Sequence, residues 1–589
     1  MIRATGSQII VKLLEAEGID TVAGLPGGYI LPLYDELNRS SIKHVLVRQE
    51  QAAGFIAQGM TRSTGKPAVC MVTSGPGAMN LLTAIADARC DSVPIIAFTG
   101  QVNTNLIGTD GFQEADTFGL SFPITKHSMM IKDPKDLLTG IPLAFSIAVS
   151  GRPGPVLIDL PKDVQTAVVE FEKWPEIKSL ANQKKTDFAK RFLTPKNQIA
   201  SIVKNMAESL VLSKKPVLFV GGGCNDKKAS GAIKEFSDVY KIPVVTTLMG
   251  IGAVPRSNKN NFGMVGMHGT IAANRAMHDA DLVFALGVRF DDRATGLISQ
   301  FCPDAKILHV DLDAAEINKI LPSEYSLVCD VETVLAQITS VLAKEKEKPS
   351  ACTKAVAKEC ESSRNEWLKT LSELYAKTES DTAGRCKSVP KQSVNPRAFI
   401  RDIPLMAEKA GVKESNIIVT TDVGQHQMWS AQYYPVEHPR QFLTSGSLGT
   451  MGFGLPCAIG AALANKNKRV VCISGDGSIL MNIQELITLA EENLNVTVFV
   501  LQNGSLGMVR QQQMYLFNKN YSASEFKKEP DFLTVAKGFG IDAIDANADP
   551  EWYKKAFTKG PHLVRLNIHI DDNVLPFVAA GHANIDPIR

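Results

Sequence analysis

Val470-Val471-Cys472-Ile473-Ser474-Gly475-Asp476-Gly477-Ser478 is the stretch on which the reading of this chain turns. An apolar run stops at a small, polar turn, the pattern of a buried parallel strand that ends in a loop. A second apolar run, Val496–Leu501, is followed by Asn503, 27 positions after Asp476. Neighbouring strands would then carry a carboxylate and an amide oxygen to adjacent loops. Both are hard oxygen ligands of the kind Mg²⁺ takes, and Mg²⁺ keeps room for phosphate oxygens. The Ser505 carbonyl, in the turn Asn503-Gly504-Ser505, is a third candidate ligand. Gly475 and Gly477 would let the backbone approach a diphosphate. A helix predicted over Ser478–Leu489 would point its first amides at that phosphate. Asp-Gly also makes ordinary turns. The strand before it and Asn503 beyond the next strand favour the metal reading.

Outward from this segment the same alternation recurs. Strand patterns His44–Arg48, Ala68–Thr73, Ile95–Thr99 and Val156–Asp159 alternate with helix patterns over residues 1 to about 180. A polar linker is expected at Ser179–Lys196. A second unit, residues 195–345, carries strands Pro216–Val220, Pro243–Thr247, Leu282–Leu286 and Ile307–Val310. Residues 346–390, poor in large apolar side chains until Trp367, read as an exposed connector containing a helix. The third unit, 391–589, holds Ile417–Thr420, Val470–Ser474, Val496–Leu501 and His562–Ile568. The expected fold class is α/β, three open, doubly wound parallel sheets, with ligands beyond the strand C-termini. A chain of 589 residues suits three or four domains.

Composition narrows the function. Lys plus Arg number 63 against 61 Asp plus Glu, so bulk charge gives no support to nucleic acid or an anionic membrane. No apolar run is long enough to span a bilayer. The N-terminus opens on a helix pattern, Ser7–Glu17, without a signal or transit segment. Ten scattered cysteines with no Cys-x-x-Cys pair read as reduced core thiols, so a cytoplasmic setting is expected.

Three further constellations have both a plain and a chemical reading. Glu50 follows a strand pattern and opens the helix pattern Gln51–Ala57; plainly, it is a carboxylate favoured by the helix dipole. Chemically, it suits thiamine diphosphate. A partly desolvated carboxyl sharing a proton with pyrimidine N1′ favours the imino form of the 4′-amine, which removes the thiazolium C2 proton. The segment Gly446-Ser447-Leu448-Gly449-Thr450-Met451-Gly452-Phe453-Gly454 is either a tight turn before the small-residue helix Ala458–Ala464 or a bent backbone receiving an aminopyrimidine. In the second case Met451 is a wedge that folds the coenzyme and brings its amine near C2. In the middle unit, Gly221-Gly222-Gly223, the Gly287–Arg293 segment and Asp311 each follow a strand. Such loops suit dinucleotide phosphates, although Gly-Gly-Gly is not the G-x-G-x-x-G fingerprint.

Together these stretches resemble the catalytic-subunit family of acetohydroxyacid synthase (acetolactate synthase), over nearly the whole chain and in the family's order. Matching segments include Gly24-Leu25-Pro26-Gly27-Gly28, Gln49-Glu50-Gln51-Ala52-Ala53-Gly54, Gly108-Thr109-Asp110-Gly111-Phe112-Gln113-Glu114, Leu160-Pro161-Lys162-Asp163-Val164, Gly266-Met267-His268-Gly269 and Thr421-Asp422-Val423-Gly424-Gln425-His426-Gln427. The resemblance implies that Glu50 activates the coenzyme across a dimer interface, with Gln101 beside the reacting groups. It implies that Asp476, Asn503 and the Ser505 carbonyl hold Mg²⁺. Gly424, Gln425, His426, Gly449, Met451, Gly475, Gly477 and Met508 would hold thiamine diphosphate. FAD, without net redox work, would lie against Arg152, Gly221, Gly222, Thr247, Leu248, Met267, His268, Gly287, Arg289, Asp291, Asp311 and Asp330. Arg293, Phe112, Gln113 and Lys162 would surround the second substrate; an arginine fork matches a 2-oxo acid carboxylate.

The implied reaction decarboxylates pyruvate and condenses the hydroxyethyl carbanion with pyruvate or 2-oxobutyrate, giving acetolactate or acetohydroxybutyrate in branched-chain amino acid biosynthesis. A closing apolar segment, Met508–Phe517, would exclude water. A homodimer or homotetramer and a small regulatory subunit are the implied partners. Two positions depart from the common pattern: Gln512 stands where most members have tryptophan, predicting weak bias for 2-oxobutyrate, and Tyr29 follows Gly27-Gly28 where a small residue is usual. The rival readings are a flavin-using pyruvate oxidase, a simple 2-oxo acid decarboxylase, glyoxylate carboligase, which lacks a carboxylate at the Glu50 position, and a non-catalytic paralogue. Intact Glu50, Asp476 and Asn503 oppose the last.

Overall fold

A computed structural model describes residues 1–179, 182–183, 193–347, 351–385 and 393–588. It contains three six-stranded sheets, each entirely parallel, with helices between most successive strands. The first orders its strands Lys43–Leu46, Thr21–Leu25, Ala68–Val72, Ile95–Gln101, Val156–Pro161 and His127–Met130. The middle sheet runs Asn261–Met264, Val244–Thr246, Pro216–Val220, Leu282–Leu286, Lys306–Asp311 and Tyr325–Val328. The third runs Phe442–Leu443, Ile417–Thr421, Arg469–Gly475, Val496–Gln502, His562–Asn567 and Asp542–Asp545.

In each sheet the chain starts near the middle, builds one way, then returns and builds the other. The direction reverses between Thr21–Leu25 and Ala68–Val72, between Pro216–Val220 and Leu282–Leu286, and between Ile417–Thr421 and Arg469–Gly475. Helices cover opposite faces on the two sides of such a point, so a crevice opens beyond the strand C-termini. The central strands are apolar almost throughout, because both faces are covered.

The first and third units share one apolar core. Helix Glu50–Thr64 crosses helix Gly454–Ala464, and both are rich in Ala and Gly where they meet. A Cβ on Gly59 would stand 2.1 Å from the Cys457 carbonyl oxygen, and one on Gly460 would stand 2.0 Å from that of Ile56. Only glycine permits this backbone approach. Phe55 and Phe453 close the crossing edge to face, with centroids 5.3 Å apart. The middle unit has its own cores on the two faces of its sheet.

Four expectations change. The connector over 346–390 contains a helix of 35 residues, Ala351–Arg385, and is not merely exposed: Cys360, Trp367 and Leu371 are buried, the last two in a middle-unit core. The single helix expected at Ser478–Leu489 is two short ones, Asp476–Ile479 and Glu485–Glu491, because residues 480–484 leave the helical path. The first helix, Gly6–Ala16, is preceded by a strand, Ile2–Thr5, paired antiparallel with Val168–Phe171. Met508–Phe517 is mostly ordered as helix Gly507–Leu516. The linker expected at Ser179–Lys196 lies largely outside the described residues. Among the described residues no helix is long and apolar enough to cross a membrane.

Candidate functional site

The third sheet delivers the pair that opened the argument. Asp476 emerges from the buried strand Arg469–Gly475 and is itself buried. Its Oδ2 accepts the backbone N–H groups of Asn503 at 2.9 Å and Gly504 at 2.7 Å, and its Oδ1 accepts that of Gly477 at 3.0 Å. Burial pushes its carboxyl up to about 6, against the pull of these amides. Asn503 Oδ1 accepts from the Ser505 N–H and hydroxyl, both at 3.1 Å. Carboxylate, amide oxygen and Ser505 thus converge. Among the described residues no three His, Cys, Asp or Glu side chains group to hold a metal. A set with one carboxylate instead suits Mg²⁺ sharing its sphere with phosphate oxygens.

Beside it, after strand Ile417–Thr421, come Gly424, Gln425 and His426. The His426 ring packs against Gly475, its Nε2 is buried without a partner, and burial drops its pKa to about 3. A neutral, unpartnered imidazole nitrogen is a vacant position for a ligand group. Gln425 donates to Gln511 Oε1 and the Asp572 carbonyl, both at 3.0 Å. Gly449 and Met451 border the same space, as do Met508 and Gln512 from helix Gly507–Leu516.

That space continues into the middle unit as one cavity of about 1990 Å³. Common small-molecule sites occupy about 300–1,000 Å³, so this volume has room for two large ligands. At the middle sheet's reversal, Gly221 and Gly287 come so close that a Cβ on Gly221 would stand 2.0 Å from the Gly287 carbonyl oxygen. Gly222, Thr247, Leu248, Asp311 and Asp330 line the cavity from neighbouring strand ends, with Met267, His268 and Asp291 beside them. Burial raises Asp311 to about 6 and lowers His268 to about 4. His268 stacks on Phe577, and its Nδ1 is buried without a partner. Asp291 is occupied in capping helix Asp292–Thr295. Arg152 also lines the cavity while donating to Glu316 at 2.7 Å, Asp313 at 3.2 Å and Ser92 at 2.8 Å. Arg289 donates to the Cys90 carbonyl at 2.6 Å and to the Ser447 hydroxyl. Arg293 lies at the wall, its guanidinium 3.8 Å from the Asp292 carboxylate.

Six other first-unit residues stand apart: Glu50, Gln101, Phe112, Gln113, Lys162 and Tyr29 do not line this cavity. Glu50 starts helix Glu50–Thr64 and accepts the Asn80 amide at 2.9 Å. Gln101 is buried, donating to Asp159 at 3.0 Å and the Ala115 carbonyl at 2.8 Å while accepting the Val102 N–H at 2.9 Å. Phe112 is 80% exposed, and Gln113 adopts a left-handed backbone, φ 59°. Lys162 sets its ammonium 5.8 Å from the Tyr29 ring centroid. Tyr29 therefore sits under the lysine expected at the substrate.

Comparison with known proteins agrees with this division. Residues 4–120 match the thiamine pyrophosphate enzyme N-terminal TPP binding domain, 203–338 the central domain and 422–565 the C-terminal TPP binding domain. The acetolactate synthase isozyme 1 large subunit of Escherichia coli K12 is 44% identical, over all of this chain and 98% of the relative. Isozyme 2 of the same organism is 40% identical over 99% of each, and a probable acetolactate synthase large subunit of Methanocaldococcus jannaschii 41% identical over 98% and 94%. The chain belongs to the acetolactate synthase large-subunit family. It is a thiamine pyrophosphate enzyme with the family's N-terminal, central and C-terminal domains.

Three features of this acetolactate synthase chain escape sequence reasoning. Asp422, buried and raised to about 6 by burial, accepts the Gly452 N–H at 2.8 Å and so fixes one end of the Met451 loop. The C-terminal stretch returns across the molecule: Val574 exchanges two hydrogen bonds with Gln511, and Asn584 donates to the Ala294 carbonyl at 2.8 Å. Arg62, Asp87 and Asp91 form a buried ionic cluster between units. Asp422 lies in a quoted motif and could have been found there; the others have no local signal.

Proposed function

We propose that this chain decarboxylates pyruvate on thiamine diphosphate and joins the two-carbon remainder to pyruvate or 2-oxobutyrate, giving acetolactate or acetohydroxybutyrate. The observation that carries the reading is the single cavity that begins at Asp476, Asn503 and Ser505 and ends among Gly221, Gly287 and Asp311. It provides for a metal-anchored diphosphate and a second, dinucleotide-sized group side by side. Asp476, Asn503 and the Ser505 carbonyl would hold Mg²⁺, and the unpartnered His426 with Gly424, Gln425, Gly449, Gly475, Gly477, Met451 and Met508 would hold the coenzyme. FAD fits the middle crevice, where backbone approaches closely and His268 offers an unsatisfied nitrogen.

When bound, thiamine diphosphate supplies the electron sink that makes loss of CO₂ feasible. Glu50 would hold a proton at N1′ of an aminopyrimidine bound by a second chain, since within one chain it does not reach the cavity. At least a homodimer follows, and a homotetramer is compatible. Arg293 would take the acceptor's carboxylate, with Phe112, Gln113 and Lys162 arriving from the other chain beside Gln101. Helix Gly507–Leu516, anchored by Arg510 to Glu525 at 2.7 Å and Asp571 at 2.9 Å, would keep water from the reacting carbon. Relatives named as large subunits support a small regulatory partner. A cytoplasmic location suits the free cysteines, which are buried or half-buried among the described residues.

The deciding experiment incubates purified protein with pyruvate, thiamine diphosphate and Mg²⁺ and measures acetoin after acid decarboxylation of the product. Acetolactate with a redox-silent flavin is expected. Acetaldehyde alone, or electrons passed to quinone or oxygen, would overturn the reading.

A further inference from the structure

The Met451 loop is gripped by charged side chains that belong to the first unit. Asp87 lies in the last turn of helix Pro76–Cys90, and Asp91 is its C-cap. Asp91 Oδ2 accepts the Gly446 N–H and Oδ1 the Ser447 N–H, both at 2.9 Å. Asp87 Oδ1 accepts the Thr450 hydroxyl at 3.1 Å and also the Ser445 hydroxyl. Ser445 Oγ in turn accepts the Thr450 N–H at 2.9 Å, closing the loop on itself. Arg62, from helix Glu50–Thr64, donates to Asp91 at 3.0 Å, Asp87 at 3.3 Å and the Thr444 carbonyl at 3.0 Å. Its guanidinium also lies 5.1 Å from the Phe453 ring centroid. The cluster thus touches both ends of the segment 444–453 and its middle.

The cluster is expensive. Side-chain exposure is 7% for Arg62 and 0% for both aspartates. Burying such charges carries a desolvation cost that apolar packing of the same helices would avoid. Burial raises the Asp87 carboxyl; Asp91, equally buried, is nonetheless held low by Arg62 and the loop amides. Gly446 and Ser447 take their hydrogen bonds from the other units: Asp91, Cys90 and Arg289. The third unit's own anchors act at the two ends of the loop: Asp422 and Asn482 at Gly452, and Gln427 and Thr421 at Thr444 and Ser445.

Resting on the thiamine reading above, we propose that Asp87, Asp91 and Arg62 are positioning residues. They set the register of the Gly446–Gly452 loop, and with it the placement of Met451 against the coenzyme. The diphosphate end is held separately, at Asp476 and Asn503. Loss of the clamp should therefore impair coenzyme activation while leaving anchoring intact.

The test uses full-length Asp91→Asn and Ser445→Ala proteins reconstituted with thiamine diphosphate and Mg²⁺. Hydrogen–deuterium exchange at thiazolium C2 is read by acid quench and NMR, beside kcat, pyruvate KM and coenzyme affinity. In Asp91→Asn the exchange rate and kcat should each fall at least about tenfold. KM and coenzyme affinity should stay within about threefold, because the diphosphate anchors Asp476 and Asn503 are unchanged. Ser445→Ala, which removes one hydroxyl, should lower exchange by several-fold and covers the case in which Asp91→Asn fails to fold. Parental exchange rates in the folded variants, with an active parent, overturn the clamp. A parent that binds no thiamine diphosphate in Mg²⁺ overturns the site reading beneath it.

Discussion

Asp476 and Asn503, 27 residues apart in the chain, are joined directly: the Asp476 carboxylate accepts the Asn503 backbone N–H at 2.9 Å. The parallel pairing of Arg469–Gly475 with Val496–Gln502 ends both strands at one level and makes the contact unavoidable. Asp476→Ala leaves three backbone N–H donors without their acceptor. Activity should fall to background, and metal-dependent gain in coenzyme affinity should vanish in calorimetric titration. Each unsatisfied buried donor costs about 1–3 kcal/mol, so a lower unfolding midpoint is expected too. Chelation of Mg²⁺ from the parent should abolish activity reversibly.

Glu50 does not line the cavity of its own chain, which makes a complementation test decisive. Glu50→Gln should lose about 10²–10⁴-fold in kcat and keep its contact with Asn80. Mixing Glu50→Ala and Asp476→Ala chains, each inactive, should restore up to about one quarter of parental activity if a C2 pair exchanges chains at random. No recovery after verified exchange would place Glu50 in the wrong site.

The crossing of helices Glu50–Thr64 and Gly454–Ala464 leaves no space for a methyl group. Gly460→Ala should lower the thermal midpoint, with overpacking on the order of 1–3 kcal/mol. Scanning calorimetry reads this, and an unchanged midpoint would mean the helices separate freely.

Asp159 predicts a pH effect. It is buried on strand Val156–Pro161, binds Thr99 and Gln101, and burial raises it to about 7. A carboxyl whose folded pKa lies above its unfolded value favours the folded state when protonated. That contribution is full below about 4 and is lost as pH rises through about 7. Asparagine cannot ionise, so Asp159→Asn should gain stability relative to the parent between pH 5 and 8, by on the order of 1–3 kcal/mol. A flat difference in denaturant midpoints across that range would refute it.

Gln512 is exposed at the cavity wall. Gln512→Trp should add apolar surface for the longer acceptor and raise the acetohydroxybutyrate to acetolactate ratio about tenfold in mixed-substrate product analysis. An unchanged ratio would remove this position from acceptor choice.

Much of the architecture was readable from apolar runs. Four strands of each sheet were predicted, and five of the six missed are edge strands, such as Phe442–Leu443 and Asp542–Asp545. These edge strands run for only two to four residues, too short to show a continuous apolar pattern. The sixth, Thr21–Leu25, is central but broken by Gly24. In the site, Asp476, Asn503 and the glycine loops were visible because each follows a strong strand. Asp87 and Asp91 were not, because acids spaced by four on a helix look like a solvated face until the partner surface is known.

The sequence by itself determined three parallel sheets, the candidate residues at their C-terminal ends and the family. Hydrophobic periodicity and strand-end residues are local properties, and short segments express them. Tertiary structure alone decided that the middle and third crevices merge into one cavity, that Glu50 stays outside its lining, and that an arginine and two aspartates of one unit hold a loop of another. Those relationships depend on how helices cross and where buried charges find partners, which are properties of packing between segments distant in the chain.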